Sequence, residues 1–160
     1  MMAERSGYSG LQIGLHWLIA VLILVNWFLG EGAEEVMEKI EEGAADPGSS
    51  PHMPIGLAIL ALVVLRIVLK VVRGGPMPPG APGSLQVKAA LAGHAALYLL
   101  LLAVPLGGAM VFFAGFDELG GLHALAANLL MLLAFGHAVL ALYHQYVVKD
   151  RLLLRMMRPE

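Results

Sequence analysis

Four long apolar stretches constrain the fold of this chain more than any other feature of its sequence. A helix needs roughly 20 predominantly apolar residues to cross a bilayer, and four stretches meet that requirement: residues 11–30, 52–72, 85–113 and 119–148. They use most of the 160 residues, so little is left for a soluble domain. No segment has a pattern typical of strands. We therefore expect an all-α fold, a single domain (1–160) built as a bundle of four transmembrane helices.

The composition supports a membrane location and restricts the chemistry. Hydrophobic residues make up 59% of the chain and charged residues only 14%, whereas about a quarter of a typical soluble protein is charged. The chain has no cysteine, which excludes disulfides, iron–sulfur clusters and covalently attached c-type haem. A cleaved signal peptide has a basic start and a short apolar core. Here Arg5 stands alone before the first apolar stretch, and the stretch is long enough to span a membrane, so we expect it to be retained as the first span. Lipid is the expected environment, and no nucleic-acid partner is expected.

Loop charges predict how the bundle is oriented. Short cytoplasmic segments carry an excess of Lys and Arg. Basic residues flank the second connection and follow the fourth span: Lys70, Arg73, Lys88, Lys149, Arg151, Arg155 and Arg158. The first and third connections carry nine acids against Lys39 alone: Glu31, Glu34, Glu35, Glu38, Glu41, Glu42, Asp46, Asp117 and Glu118. The acidic loops are therefore predicted to lie outside, and both termini are predicted to be cytoplasmic.

Two local features modify this simple pattern. Between the first two spans, Val36, Met37 and Ile40 recur at helical spacing among acids, which indicates either a short amphipathic helix over residues 34–42 on the outer surface or a disordered acidic loop. Pro105 lies within the third span. A local kink is expected there, and neighbouring helices can satisfy the freed carbonyl.

Six histidines are the most informative polar residues of the sequence. Each lies in or at the edge of an apolar span: His16, His52, His94, His123, His137 and His144. An ionisable side chain is costly in hydrocarbon and indicates a functional role. One such histidine would most simply form a hydrogen bond between helices. Six of them in four spans favour a cofactor, and imidazoles that face each other across a bundle are suited to hold non-covalent haem.

The histidines fall at two depths. His123 and His137 are 14 residues apart, which is roughly 21 Å along a helix and almost four turns, so both lie on one face. His52 begins the second span at the level of His123, and these two form the expected outer pair. The inner pair stays open, because His16, His94, His137 and His144 all lie in the inner half.

Other charged residues in the spans limit the alternatives to haem. Arg66 follows His52 by 14 residues on the same face, about 21 Å deeper, and with Lys70 it could reach the propionates of an inner haem. Its side chain could instead extend to the interface. No Asp, Glu or Cys lies beside the histidines within a span, which disfavours a zinc or di-iron site.

Six motifs contain Arg66 and all of the membrane histidines except His137: LQIGLHWL at 11–18, HMPIG at 52–56, VLRIVL at 64–69, HAALYLL at 94–100, LHALAAN at 122–128 and YHQYVVKD at 143–150. Through these motifs, the sequence resembles the bacterial cytochrome b561 family, which includes diheme superoxide oxidases and quinone-linked b-type cytochromes, over nearly its whole length. The resemblance implies two b haems with two histidine ligands each. His16 and His137 would hold the inner haem, and His52 and His123 the outer haem.

The resemblance also implies a function and a place in the cell. The expected protein passes electrons between an outer-face donor, superoxide or another molecule, and ubiquinone or another quinone in the bacterial inner membrane. His144 would hydrogen-bond a quinone carbonyl or move its proton, or would be only a satisfied interfacial histidine. His94, Trp17 and Tyr98 would line the haem slots.

Two other functions remain open from the sequence. The chain could be the haem-bearing membrane anchor of a larger dehydrogenase or hydrogenase, or a haem-free transporter or assembly factor whose histidines relay protons. The outer loops depart from the pattern expected for superoxide oxidation, because nine acids and one lysine would repel an anion and attract a cationic electron partner.

Overall fold

A computed structural model describes residues 7–43, 48–78 and 80–159 of the chain. It contains five α-helices: α1 (Gly10–Phe28), α2 (Gly30–Glu41), α3 (His52–Arg73), α4 (Leu85–Ala114) and α5 (Gly120–Tyr143). A 3₁₀ turn (Asp117–Leu119) precedes α5, a π-helical turn (His144–Val148) continues it, and a second 3₁₀ turn covers Leu153–Met156. No strand occurs in these ranges. Arg5 and Asp46 lie outside the described residues, as do the side chains of Ile40 and Glu41.

Four of the helices are long and apolar enough to cross a membrane, which confirms the predicted all-α fold with four spans. Their bounds differ from the sequence prediction by one or two residues. The first span ends at Phe28 because Leu29 caps α1 and Gly30 already begins α2. The fourth is α-helical to Tyr143 and reaches Val148 through the π-helical turn.

Local sequence explains where the helices begin and end. Ser9 caps α1 through a capping box, in which Ser9 Oγ accepts from the Gln12 backbone N–H and Gln12 Oε1 accepts from the Ser9 backbone N–H. Ser84 caps α4 by accepting from the Val87 backbone N–H at 3.3 Å. Gly115 ends α4 with a φ of 68°, a conformation that favours glycine. The helix α4 continues through Pro105.

The acidic connection between the first two spans forms α2, so the helical alternative is the correct one there. Val36 and Met37 are half-buried, whereas Glu34, Glu35 and Glu38 are exposed. A hydrogen-bonded ion pair of 2.7 Å joins Lys39 to Glu35 one turn earlier.

The spans pack in chain order. Helix α1 packs on α3, α3 on α4, and α4 on α5, whereas the backbone of α5 has little close contact with that of α1 or α3. Ile19, Ile59 and Val63 form the buried core between α1 and α3. Many large apolar side chains remain exposed, Phe28 at 67% and Phe135 at 69% among them, as expected where lipid covers the surface.

The two ends of the bundle differ in charge, and we call them the basic end and the acidic end. The basic end holds Lys70, Arg73, Lys88 and Arg155, and the acidic end holds α2 and the Asp117–Leu119 turn. Three hydrogen bonds fasten the basic end: Gln12 Nε2 donates to the Gly74 carbonyl (2.9 Å), Trp17 Nε1 to the Met156 carbonyl (2.8 Å) and Arg155 Nη1 to the Met77 carbonyl (3.2 Å). Which end faces the cytoplasm stays a prediction.

Candidate functional site

Four histidines form two facing pairs, one towards each end of the bundle. In the acidic-end pair, the His52 ring on α3 faces the His123 ring on α5 with centroids 6.0 Å apart and planes at 90°. In the basic-end pair, His16 on α1 faces His137 on α5 with centroids 6.4 Å apart and planes at 77°. Helix α5 contributes one ring to each pair, as the 14-residue spacing predicts.

The separation of the rings suits a shared metal ion. An imidazole nitrogen binds a first-row metal ion at about 2.0 Å, so two imidazoles on opposite sides of one metal ion have ring centroids about 6 Å apart. Both pairs meet this distance. In the part of the chain that the structure describes, no group of three or more His, Cys, Asp or Glu side chains is arranged to hold a metal ion. Two imidazoles that face each other at this distance suit a metal ion carried by a macrocycle.

Hydrogen bonds fix the tautomer of the acidic-end pair. His52 Nδ1 donates to the Asn26 carbonyl and His123 Nδ1 donates to the Val104 carbonyl, each at 2.9 Å. Because a carbonyl oxygen can only accept, Nδ1 carries the hydrogen in both rings and Nε2 keeps the lone pair that a metal needs. A histidine that ligates a metal commonly donates its other N–H in this way.

A cavity lies between the spans at the acidic-end pair. All four spans line it, mostly with apolar side chains, and both His52 and His123 reach it. Gly108 on α4 makes room for the His123 ring, since a Cβ at this position would lie 2.9 Å from His123 Cε1. The residues present thus fit a flat apolar cofactor held from both sides.

Asn26 adds a polar group to this cavity. It is 9% exposed, and among the described residues its Oδ1 has no hydrogen-bond partner. A buried acceptor without a partner is uncommon and often indicates a missing ligand or water. The backbone carbonyl of the same residue already orients His52, so Asn26 contributes two polar atoms to one wall.

Arg66 on α3 is held by hydrogen bonds to α1 and α4 towards the basic end of the bundle. Its Nη1 donates to the Gln12 carbonyl on α1 (2.9 Å) and its Nε donates to Tyr98 Oη on α4 (3.2 Å). The Lys70 ammonium lies 4.6 Å from the centroid of the Tyr98 ring. This end of the bundle therefore offers cations to an anionic group bound near the pair.

The two remaining histidines lie in different surroundings. The His94 ring is 5.3 Å from that of His137, and its Nδ1 donates to the Ala90 carbonyl on its own helix (2.7 Å). His94 is thus a neighbour of the basic-end pair. His144 begins the π-helical turn, and its Nδ1 donates to Asp150 Oδ2 at 2.6 Å.

Sequence reasoning missed the groups that support the histidines. These are the carbonyls of Asn26 and Val104, the open space at Gly108, the carboxylate of Asp150, and Asn128, which accepts from Trp27 Nε1 at 2.9 Å. Asparagines inside apolar spans, and two glycines shortly after Pro105, were the available signals. The carbonyl partners leave no trace in the sequence.

Replacement of Trp27 by Phe should destabilise the bundle modestly, because the Trp27–Asn128 hydrogen bond joins α1 to α5 where their backbones have little contact. We expect a loss of about 0.6 kcal/mol in unfolding free energy, the mean for hydrogen bonds between membrane helices. Equilibrium unfolding in mixed detergent micelles measures it. Phe28→Leu, at a neighbouring exposed position, is the control and should change stability less. Equal losses in both variants would contradict a role for the hydrogen bond.

Four spans that present facing imidazoles are typical of a membrane cytochrome, and comparison with known proteins agrees. The chain matches the family model described as prokaryotic cytochrome b561 over residues 7–159. It is 47% identical to cytochrome b562 of Cereibacter sphaeroides over 99% of both chains. It is 33% identical to the probable superoxide oxidase CybB of Yersinia pestis, over 94% of this chain and 95% of that protein. Cytochrome b561 homolog 2 of Escherichia coli is 27% identical over 94% of this chain and 90% of that one.

The chain belongs to the prokaryotic cytochrome b561 family. It is an electron-transfer protein that crosses the bacterial inner membrane several times, and family membership implies haem b as its cofactor.

Proposed function

We propose that this chain carries electrons across the membrane, between a one-electron donor at the outer face and a quinone in the bilayer. The observation that supports this most strongly is the presence of two facing histidine pairs, one near each end of a single bundle. In this proposal the basic end faces the cytoplasm, as the loop charges predict.

Each pair would hold one haem b: His52 and His123 near the outer face, and His16 and His137 near the inner face. Haem between two imidazoles supplies reversible one-electron transfer and has no open position for oxygen. The carbonyls of Asn26 and Val104 keep the outer imidazoles in orientation, and the apolar lining of the cavity excludes water. Arg66, with donors left over after its two hydrogen bonds, would bind a propionate at the inner pair.

We propose that the quinone, ubiquinone or a relative of it, binds at the basic end near His144. Because Nδ1 of His144 is bound to Asp150, its Nε2 is the nitrogen available to a quinone oxygen. It can hydrogen-bond a carbonyl, or exchange a proton with a quinol hydroxyl.

The acidic end favours a cationic outer partner. The exposed acids of α2 create a negative potential above the outer histidine pair, which attracts a basic protein and repels the superoxide anion. We therefore propose a basic soluble electron-transfer protein as the outer partner, and superoxide as the alternative that the similarity to CybB suggests.

The test uses the purified, haem-loaded chain in lipid nanodiscs. We expect two haems per chain and, with the reaction run in reverse, reduction of both haems by decylubiquinol and their oxidation by a basic c-type cytochrome at a rate that falls with added salt. A colourless chain would contradict the haem proposal. A haem-loaded chain that is inert to decylubiquinol and co-purifies with a peripheral subunit would favour the membrane-anchor alternative.

A further inference from the structure

The segment that follows α5 folds back so that Asp150 contacts His144. Asp150 Oδ2 accepts the His144 Nδ1 hydrogen bond at 2.6 Å, and Asp150 Oδ1 accepts from the Leu152 backbone N–H at 3.0 Å. The Asp150 backbone N–H donates to the His144 carbonyl at 3.3 Å. The two side chains are only 17% and 24% exposed. Both carboxylate oxygens are thus used, and the imidazole is held from one side.

The backbone around Asp150 has an unusual conformation. Lys149 has a φ of 61° and Arg151 a φ of 60°, in the left-handed region that residues other than glycine seldom adopt. Such conformations cost free energy and are concentrated at functional sites. The preceding π-helical turn, His144–Val148, is a second irregular feature of the kind found at functional sites.

The carboxylate of Asp150 is kept ionised. Burial by itself raises the pKa of Asp150, but the hydrogen bonds from His144 and the Leu152 N–H, together with the positive charge of Arg155, lower this pKa below its ordinary value. The Tyr143 ring lies 6.1 Å from the His144 ring. In the described part of the chain, the adjacent Gln145 has a buried Oε1 that lacks a hydrogen-bond partner.

We infer that Asp150 is a positioning residue that holds His144, with Nε2 as the exchangeable nitrogen, as the proton carrier of the quinone site. The inference rests on the proposed function. Conversion of a quinone into a quinol takes two electrons, from two molecules of the outer one-electron donor, and two protons, one for each oxygen. His144 Nε2 passes one of these protons from water at the basic end to the quinone oxygen that it contacts, the other oxygen takes its proton from water, and the reverse reaction returns both. Asp150 stabilises the imidazolium without itself taking the proton.

Decylubiquinol reduction of the oxidised, haem-loaded chain in nanodiscs tests the inference. The haem absorbance gives a maximal rate and a half-saturating quinol concentration. His144→Gln should lower the maximal rate about 100-fold, the order of magnitude of general-base catalysis, and Asp150→Asn at least about tenfold. The half-saturating concentration should change less than about twofold, because the proton moves only after binding. Lys88→Gln removes an exposed charge from the same end and should leave both values unchanged.

The variants also show whether His144 and Asp150 act together or independently. Residues that act as one unit give non-additive losses, so the double variant should be no slower than His144→Gln, and Asp150→Glu should recover part of the rate. Reduction by dithionite shows whether each variant keeps its haems. If Asp150→Asn loses them, Asp150→Ser replaces it, since the Ser hydroxyl can still accept from the Leu152 N–H.

Two results would overturn the inference and leave the proposed function intact. One is a wild-type rate for the Asp150 variants while His144→Gln is slow, and the other is losses that multiply in the double variant. A wild-type chain that decylubiquinol cannot reduce would overturn the proposed function itself, and the inference with it.

Discussion

Replacement of His52 or His123 by Ala should halve the haem content of the purified chain, from the two haems that we propose to one. Each ring supplies one of the two imidazoles that face each other 6.0 Å apart, and a bis-histidine site that loses one ligand loses most of its affinity. The alkaline pyridine spectrum of the extracted haem measures the number of haems per chain directly. The double variant should lose no more than either single variant, because both act on the same site.

His94→Ala is the matched control for this experiment. It also removes a membrane histidine, but the His94 ring is only a neighbour of the basic-end pair. Two haems should therefore remain. Retention of both haems after loss of His52, or loss of a haem with His94, would show that the pairs are assigned wrongly.

Gly108→Ala should prevent haem binding at the acidic-end pair, even though neither His52 nor His123 is changed. The added Cβ would lie 2.9 Å from His123 Cε1, a distance that real contacts of a Cβ do not show. The ring cannot simply turn aside, because its Nδ1 is bonded to the Val104 carbonyl on the same helix as Gly108. The expected result is one haem per chain, as for His123→Ala, together with a lower thermal midpoint of the remaining protein.

Gly107→Ala provides the comparison. A Cβ there would lie 4.0 Å from His123 Nδ1, which is ordinary van der Waals contact, so both haems should be retained. Equal haem content in the two glycine variants would mean that the space at Gly108 is not needed by the ligand ring.

The fold could be predicted from the sequence because membrane spans are determined by length and apolar character. The four spans were located to within two residues, and an acidic helix after the first span was one of two alternatives. Depth could also be predicted, since 14 residues set the separation of His123 and His137 along one helix. The basic-end pairing could not be predicted from spacing, because His16, His94, His137 and His144 share that half of the bundle and rotation about the helix axes depends on packing. Only the family resemblance implied the pairing of His16 with His137.

The groups that hydrogen-bond the histidines could not be predicted for a different reason. A backbone carbonyl such as that of Val104 is present at every residue, so only the three-dimensional approach of His123 distinguishes it. Asp150 follows Lys149 in a polar terminal segment, and neither Lys149 nor Arg151 has the side chain usually found at positive φ. Their conformation follows from the contacts of Asp150 rather than from local propensity.

The weak backbone contact between α5 and its neighbours α1 and α3 has a consequence for how the protein is made. Where two faces of a bundle are joined by few side chains, a bound prosthetic group supplies much of the missing packing and stabilises the folded state by its own binding energy. Newly made chains would then become resistant to membrane proteases only once they are loaded. The supply of porphyrin, rather than the rate of translation, would limit how much of this protein a cell accumulates.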